Sequence, residues 1–214
     1  MIFQENSKII MIGDSITDCG RTRPVAERLE SLGNGYVNIA AGHLNSAYPE
    51  LKLHILNMGI SADAVRDLKA RWQTDVIDQK PTWVTIMIGI NDVLRQFSRP
   101  FMNETHIYID EYAKTLDELI KVTLPLVEGI ILISPYYLEP NRNDDVRRTM
   151  DSYRSEMKRV ASEYGLIYVD VQEEFDKVLE YRHSTWISSD RVHPNIIGHT
   201  IIAKAFLKGI GYEW

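Results

Sequence analysis

Five short runs of aliphatic residues alternate along this chain with longer segments of helical periodicity. The apolar runs lie at residues 8 to 13, 51 to 57, 82 to 89, 129 to 135 and 166 to 171. Segments with the period of an α-helix lie between and after them, at residues 61 to 77, 108 to 124, 145 to 165 and 196 to 211. Strands that are almost entirely apolar and separated by helices are typical of a parallel sheet covered on both faces. The alternation therefore predicts a doubly wound α/β fold.

Length and composition narrow the class of protein. With 214 residues and without a proline-rich or glycine-rich linker, we expect residues 1 to 214 to form a single domain. The net charge of -6 argues against a nucleic-acid partner, because such proteins usually present a basic face. A single cysteine excludes an internal disulfide, and no leader or membrane-spanning pattern is visible. We therefore expect a cytoplasmic protein that does not bind a membrane.

Small polar residues follow three of the apolar runs directly. The segment "GDSITD" covers residues 13 to 18, "NMGIS" residues 57 to 61 and "GIND" residues 89 to 92. The carboxyl ends of parallel strands meet at one edge of a sheet, where open α/β folds bind their ligands. A late segment, "DRVHP" at residues 190 to 194, has similar chemistry. We expect all four segments to converge at that edge.

Together these segments contain the groups that acyl transfer requires. Ser15 is the candidate nucleophile, and His193 is the candidate base that takes its proton. Asp190 lies three residues before His193, close enough for its carboxylate to hold Nδ1–H of the imidazole while Nε2 faces the serine. The sequence thus predicts a catalytic triad at Ser15, His193 and Asp190.

The same segments contain donors for an oxyanion. Asn91 can donate from its side-chain amide, and the backbone N–H groups of Ser15 and Ala62 can complete the oxyanion hole. Gly59 is an alternative backbone donor in the second segment.

Other interpretations of these residues stay open from the sequence alone. Cys19 could serve as a nucleophile, and Asp190, His193 and His199 could ligate a metal ion. A non-catalytic carbohydrate-binding domain of the same fold is a further alternative, since fold does not establish activity.

The four segments resemble the signature blocks of the SGNH, or GDSL-type, hydrolases. Longer stretches, such as "VRDLKARW", "IMIGINDV" and "GYEW", are similar to intracellular bacterial acetyl-xylooligosaccharide esterases. The resemblance implies a flavodoxin-like three-layer sandwich with a five-stranded parallel sheet. It also implies the triad and oxyanion hole named above, no metal, no organic cofactor, and a homo-oligomer.

The resemblance further implies a serine esterase that removes acetyl groups from carbohydrate esters, above all acetylated xylo-oligosaccharides, through an acyl-enzyme on Ser15. Short-chain lysophospholipases and thioesterases share the four blocks and remain alternatives. For the sugar itself, Asp14, Arg95 and Trp186 are the candidate contacts.

One position departs from the family pattern. The second block commonly reads "GISG", whereas here it reads "GISA", so that Ala62 replaces a glycine. We expect Ser61 to cap a helix that begins here, which would place Ala62 in the first helical turn with a negative φ and its N–H free.

Overall fold

A single sheet lies at the centre of the molecule. The computed structural model describes residues 1 to 214, except for the side chain of residue 29. Its strands are β1 (Lys8–Gly13), β2 (His54–Asn57), β3 (Trp83–Met87), β4 (Gly129–Ile133) and β5 (Ile167–Val169). They run parallel throughout in the spatial order β2-β1-β3-β4-β5. This order is that of flavodoxin-like folds, so the predicted α/β class with five parallel strands is confirmed.

The helices form two layers around this sheet. In the described chain they are α1 (Ser15–Asp18), α2 (Tyr36–Ala47), α3 (Val65–Asp75), α4 (Ile90–Ser98), α5 (Ile109–Thr123), α6 (Asp145–Glu163), α7 (Val171–Leu179) and α8 (Ile196–Gly209). Helix α8 packs on α2 and α7, whereas α5 packs on α3 and α6. Parallel crossovers are right-handed, so the connection from β1 to β2 and the connections that lead from β2 through β5 lie on opposite faces.

The strands are apolar because both of their faces are covered. In β1, the four residues Ile9, Ile10, Met11 and Ile12 are each at most 1% exposed. Strands with one wet face would show an alternating pattern, and the continuous run in "KIIMIG" reflects burial on both sides.

Several element boundaries differ from the sequence prediction. Helices α5 and α6 lie within two residues of their predicted bounds. Strand β2 begins at His54 rather than at residue 51, because Pro49–Leu51 form a turn of 3₁₀-helix. Helices α2, α4 and α7 were not expected as helices. Helix α2 mixes small and polar residues into its apolar face, whereas α4 and α7 span only nine residues each, too few to stand out as periodic segments.

The strand order places the candidate site. The chain leaves β1 toward β2 on one side and leaves β3 toward β4 on the other, so β1 and β3 flank the topological switch point. A crevice opens at the carboxyl edge of such a point. Ser15 follows β1 and Asn91 follows β3, and both therefore lie at this crevice.

Candidate active site

Ser15 is the first residue of the short helix α1, directly after the central strand. Asp14 caps this helix, and its carboxylate Oδ1 accepts the N–H of Ile16 at 2.9 Å. Before it, Gly13 passes so close to β3 that a Cβ would lie 2.4 Å from the carbonyl oxygen of Met87. The sharp turn after a strand that is packed on both sides leaves Ser15 half-buried at the molecular surface.

A chain of two hydrogen bonds joins Ser15 to His193 and Asp190. The hydroxyl Oγ of Ser15 lies 2.8 Å from Nε2 of His193, and Nδ1 of His193 lies 2.7 Å from Oδ2 of Asp190. Because the carboxylate accepts from Nδ1–H, Nε2 is left to accept the serine proton. The structure thus brings together the three residues predicted as a triad, across 178 residues of sequence.

The second carboxylate oxygen of Asp190 fixes the loop that carries His193. Oδ1 accepts the N–H groups of Val192 at 2.9 Å and of His193 at 2.8 Å, and the hydroxyl of Ser188 at 2.8 Å. Partial burial raises the pKa of Asp190, but the hydrogen bonds from His193, Val192 and Ser188 outweigh it and lower this pKa well below its usual range. Asp190 is therefore a carboxylate at every pH at which the enzyme would work.

Contacts with the segment after β4 hold the His193 loop in place. The hydroxyl of Tyr136 donates to the carbonyl of Val192 at 2.8 Å, and the N–H of Leu138 donates to the carbonyl of Arg191 at 2.9 Å. Arg191 also forms an ion pair with Glu139 at 2.6 Å. The loop is thus anchored to the same edge of the sheet that carries Ser15.

Asn91 presents its side-chain amide at the start of α4. One N–H of Nδ2 donates to the carbonyl of Asp63 at 2.8 Å. A primary amide carries a second N–H, which is the one suited to an oxyanion. The backbone N–H of Ser15 is the first of α1 and has no intrahelical acceptor, so it can face the same point.

Ala62 does not lie in a helix, and the expectation of a negative φ is wrong. Its φ is +70°, and α3 begins only at Val65, with Ala64 rather than Ser61 at the cap position. Alanine in the left-handed region costs about 1 to 2 kcal/mol, because Cβ approaches the carbonyl oxygen. Ala62 nevertheless keeps the backbone conformation that the family glycine would adopt without strain, and its N–H remains the candidate donor of the second segment.

Hydrogen bonds on both sides of Ala62 explain why the loop tolerates this conformation. Arg95 donates from Nη2 to the Ala62 carbonyl at 2.6 Å, and the N–H of Ser61 donates to Asp18 at 3.3 Å. The carboxylate of Asp63 pairs with Arg71 at 2.7 Å. The flanking peptide groups are therefore fixed independently of the alanine methyl group, which is exposed.

Gly59 is not available as the alternative oxyanion donor. Its N–H donates to Oδ1 of Asn57 at 2.9 Å. A Cβ at this position would lie 2.2 Å from the backbone nitrogen of Asp18. The absence of a side chain at Gly59 thus serves the close approach of the β2 to α3 loop to α1.

The three expected substrate contacts have different outcomes. Asp14 is only 1% exposed and caps α1, so its side chain does not reach the surface, and this expectation was wrong. Arg95 directs its guanidinium to the loop at Ala62. Trp186 is 45% exposed, with the guanidinium of Arg182 5.0 Å from the ring centroid, and it remains a candidate for stacking on a sugar.

Two buried carboxyl groups lie beneath the site. Burial raises the pKa of Asp14 to about 7, and the nearby Asp92 and Asp63 add to this shift. Burial likewise raises the pKa of Asp92 to about 7. Oδ1 of Asp92 accepts the N–H of Val65 at 3.0 Å, so that α4 also anchors the start of α3.

The alternatives that rested on Cys19 and His199 do not fit the geometry. Nδ1 of His199 accepts the N–H of Tyr36 at 3.2 Å, and Nε2 lies 3.2 Å from Sγ of Cys19. Burial lowers the pKa of His199 to about 4 and raises the pKa of Cys19, so both are neutral and paired with each other. Within the part of the chain that the structure describes, no three histidine, cysteine or acidic side chains are grouped to hold a metal ion.

Three residues that support the site were not predicted from the sequence. Arg71 donates to the carbonyls of Met58 at 2.8 Å and Gly13 at 3.2 Å in addition to its pair with Asp63. Asn57 donates to the carbonyl of Thr17 at 2.7 Å, and Ser188 orients Asp190. Asn57 and Ser188 stand within or next to the quoted segments, so their positions carried a signal. Nothing in the sequence distinguishes Arg71 from the other helical arginines.

Comparison with known proteins agrees with this geometry. The GDSL-like lipase/acylhydrolase family matches residues 11–201. The chain belongs to this family. This GDSL-like hydrolase is 53% identical to an acetylxylan esterase of Geobacillus stearothermophilus over 208 residues, which cover 97% of this chain and 95% of the relative.

Solved structures extend this similarity to three dimensions. A crystal structure of the Geobacillus esterase matches with a TM-score of 0.98 at 52% identity, covering 100% of this chain and 98% of the other. Variants of that esterase with a replaced serine, aspartate or histidine are described as catalytic mutants. An α/β hydrolase from the metagenome of Lake Arreo matches with a TM-score of 0.97 at 48% identity, covering 99% and 98% of the two chains. The GDSL-like hydrolase is therefore a carboxylic ester hydrolase by family.

Proposed function

We propose that this hydrolase removes acetyl groups from carbohydrate esters, and that its substrates are acetylated xylo-oligosaccharides. The observation that carries the proposal is the hydrogen-bonded chain from Ser15 through His193 to Asp190. Nearly full-length similarity to an acetylxylan esterase supports the choice of the acyl and sugar groups.

In the proposed reaction, Ser15 attacks the acetyl carbonyl while Nε2 of His193 takes the hydroxyl proton. The negative charge that develops on the carbonyl oxygen is stabilised by the Asn91 amide and the N–H groups of Ser15 and Ala62. His193 then returns the proton to the departing sugar hydroxyl, which leaves an acetyl group on Ser15. Water attacks this acyl-enzyme with His193 again as base, His193 returns the proton to Oγ of Ser15, and acetate leaves.

The exposure of the site supports a bulky, polar alcohol as leaving group. His193 and Asp190 are both exposed, and their side chains are 56% and 50% accessible. A serine at an open surface can reach an ester that projects from an oligosaccharide. We propose that Trp186 stacks on one of the sugar rings, as exposed aromatic side chains do with apolar ring faces.

The alternative substrates, lysophospholipids or thioesters, share the chemistry of the triad and differ in the acyl chain. No helix of the described chain has both the length and the apolar character needed to cross a membrane.

We also propose where the enzyme acts and how it assembles. The single cysteine supports a cytoplasmic location, and the family resemblance supports a homo-oligomer. Size-exclusion chromatography with light scattering tests the assembly.

Replacement of the nucleophile tests the proposed mechanism. We expect Ser15→Ala to lower kcat on p-nitrophenyl acetate by about 10⁴-fold to 10⁶-fold, because the acyl-enzyme cannot form. Ser155→Ala, on the exposed face of α6, is the matched control and should retain wild-type activity. A Ser15→Ala enzyme with a tenth of the wild-type kcat would refute the assignment.

Acyl-chain selectivity tests the proposed substrate class. We expect acetate esters to be turned over faster than butyrate and octanoate esters, with a loss of about 10-fold or more for methylenes that the site cannot accommodate. Mass spectrometry of acetylated xylo-oligosaccharides should show stepwise losses of acetyl groups. Faster hydrolysis of octanoate, or of a lysophospholipid measured in parallel, would favour the lipid or thioester alternative.

A further inference from the structure

The loop that supplies the Ala62 N–H is held from the opposite side of the crevice by helix α4. Arg95 donates from Nη2 to the carbonyl of Ala62 at 2.6 Å. One turn earlier on the same helix, Asn91 donates to the carbonyl of Asp63 at 2.8 Å. Two consecutive carbonyls of the loop are thus bound by two side chains four residues apart, which lie on one face of α4.

A second contact anchors the guanidinium of Arg95. Its Nη2 lies 3.4 Å from Oδ2 of Asp67, and the same oxygen accepts the N–H of Ala64 at 2.9 Å. Asp67 lies in the first turn of α3, directly after the loop. Arg95 therefore connects the middle of the loop with its end, and its side chain is only 22% exposed.

The conformation of Ala62 makes this anchoring necessary. A glycine at this position would adopt a φ of +70° at little cost, whereas alanine favours negative φ. The methyl group of Ala62 is exposed and gains no packing that would offset the strain. Without a bond to its carbonyl, the Ala62 peptide would relax, and the direction of its N–H would change.

We infer that Arg95 is a positioning residue of the oxyanion hole, which holds Ala62 in the left-handed conformation, and that alanine at position 62 makes the enzyme depend on this arginine. The inference rests on the proposed function, because it assigns the Ala62 N–H to the oxyanion. It replaces the earlier expectation that Arg95 contacts the sugar.

A double-mutant cycle tests the inference with Arg95→Met, Ala62→Gly and the double variant. Methionine keeps much of the length of the side chain and removes its donors. We expect Arg95→Met to lower kcat for p-nitrophenyl acetate by about 10-fold to 100-fold, with little change in KM, because a misdirected donor weakens only the transition state. With glycine at position 62, the same substitution should cost less than about 3-fold. The kcat of Ala62→Gly alone is the reference against which the double variant is compared.

Two controls separate positioning from a general effect on folding. Arg66→Met removes a comparable arginine on α3, which donates to the carbonyls of Glu104 at 2.9 Å and His106 at 3.0 Å. It should change Tm and leave kcat unchanged. The Tm of Arg95→Met is measured alongside that of Arg66→Met. The double variant with Arg95→Met and Ala62→Gly should recover kcat whether or not its Tm differs from that of the wild type.

Three outcomes would overturn the inference. An equal loss of kcat in both backgrounds would show that Arg95 acts independently of residue 62. A rise in KM without a change in kcat would place Arg95 on the substrate. Wild-type activity of Arg95→Met would show that the contact is dispensable. Failure of the proposed function is recognised separately, because it would appear as residual activity of Ser15→Ala.

Discussion

The two carboxylate oxygens of Asp190 bind different groups. Oδ2 accepts only from the imidazole of His193, whereas Oδ1 accepts from two backbone N–H groups and the hydroxyl of Ser188. One side chain therefore sets the tautomer of the histidine and the shape of the loop that carries it. An amide in place of this carboxylate has only one acceptor oxygen, which cannot bind both the imidazole and the loop donors.

We expect Asp190→Asn to lower kcat by about 10⁴-fold. The amide oxygen will take the position of Oδ1, since three donors point there. Its NH₂ group then faces Nδ1 of His193 and forces the proton onto Nε2, which can no longer accept from Ser15. Steady-state kinetics on p-nitrophenyl acetate measure the loss, and circular dichroism checks the fold.

Ser188→Ala serves as the comparison for Asp190→Asn. It removes one of the three hydrogen bonds to Oδ1 and leaves the charge, so a loss of about 10-fold or less is expected. An Asp190→Asn variant that is no slower than Ser188→Ala would mean that another group orients His193.

Among the elements, α1 and the loop after β2 approach each other more closely than side chains allow. A Cβ on Gly59 would lie 2.2 Å from the nitrogen of Asp18 and 2.7 Å from the carbonyl carbon of Thr17, both of which are backbone atoms. Backbone cannot move aside as the end of a flexible side chain can. The loop that bears Ala62 and the helix that bears Ser15 therefore keep their spacing through this glycine.

We expect Gly59→Ala to lower the free energy of unfolding by about 1 to 3 kcal/mol and to reduce kcat, because the two elements must separate. Gly42→Ala is the matched control. It lies on the exposed side of α2, and a Cβ there would meet no other described atom within 4 Å. This control should raise the stability by about 0.5 to 1 kcal/mol, since alanine favours helix. Thermal unfolding measures both changes, and an equally stable, active Gly59→Ala would contradict the packing argument.

At the same scale, the sequence predicted the strands better than the helices. The five apolar runs were visible because burial on both faces leaves a continuous signal, and the three polar segments after them, together with the later segment "DRVHP", identified the site. Helix α4 escaped prediction because it spans only nine residues and its first turn lies within the polar segment "GIND". The left-handed Ala62 escaped for a different reason. Its conformation is imposed by side chains more than 25 residues away, and local propensity argued for the opposite.

For the whole molecule, the buried titratable groups set opposing dependences of stability on pH. The pKa values of Asp14 and Asp92 are raised to about 7 in the fold, so the stability that they contribute is complete below about pH 4 and is lost as pH rises through 7. The pKa of His199 is lowered to about 4, so its contribution is complete above about 6.5 and is lost as pH falls toward 4. The stability that the two carboxyl groups lose as pH rises is larger than the stability that the one imidazole gains. These three groups together therefore stabilise the fold most at mildly acidic pH.

We expect Asp92→Asn to flatten the decline of Tm between pH 5 and pH 8. The amide oxygen can still accept the N–H of Val65, while the charge that costs stability at high pH is removed. The free energy of unfolding of the variant minus that of the wild type should be larger at pH 8 than at pH 5, by a few kcal/mol. Glu180→Gln, at an exposed position, should leave the profile unchanged. Parallel profiles for the wild type and Asp92→Asn would contradict the shift.

The separation of 178 positions between Ser15 and His193 has a consequence for biosynthesis. A chain leaves the ribosome from its amino terminus, and β1 can pair with β2 and β3 long before residue 193 has been made. Helix α8, which follows His193 and packs on α2 and α7, is made later still. A nascent chain can therefore pair its first strands and carry Ser15 without hydrolysing any ester, and activity can appear only after residue 193 has been made.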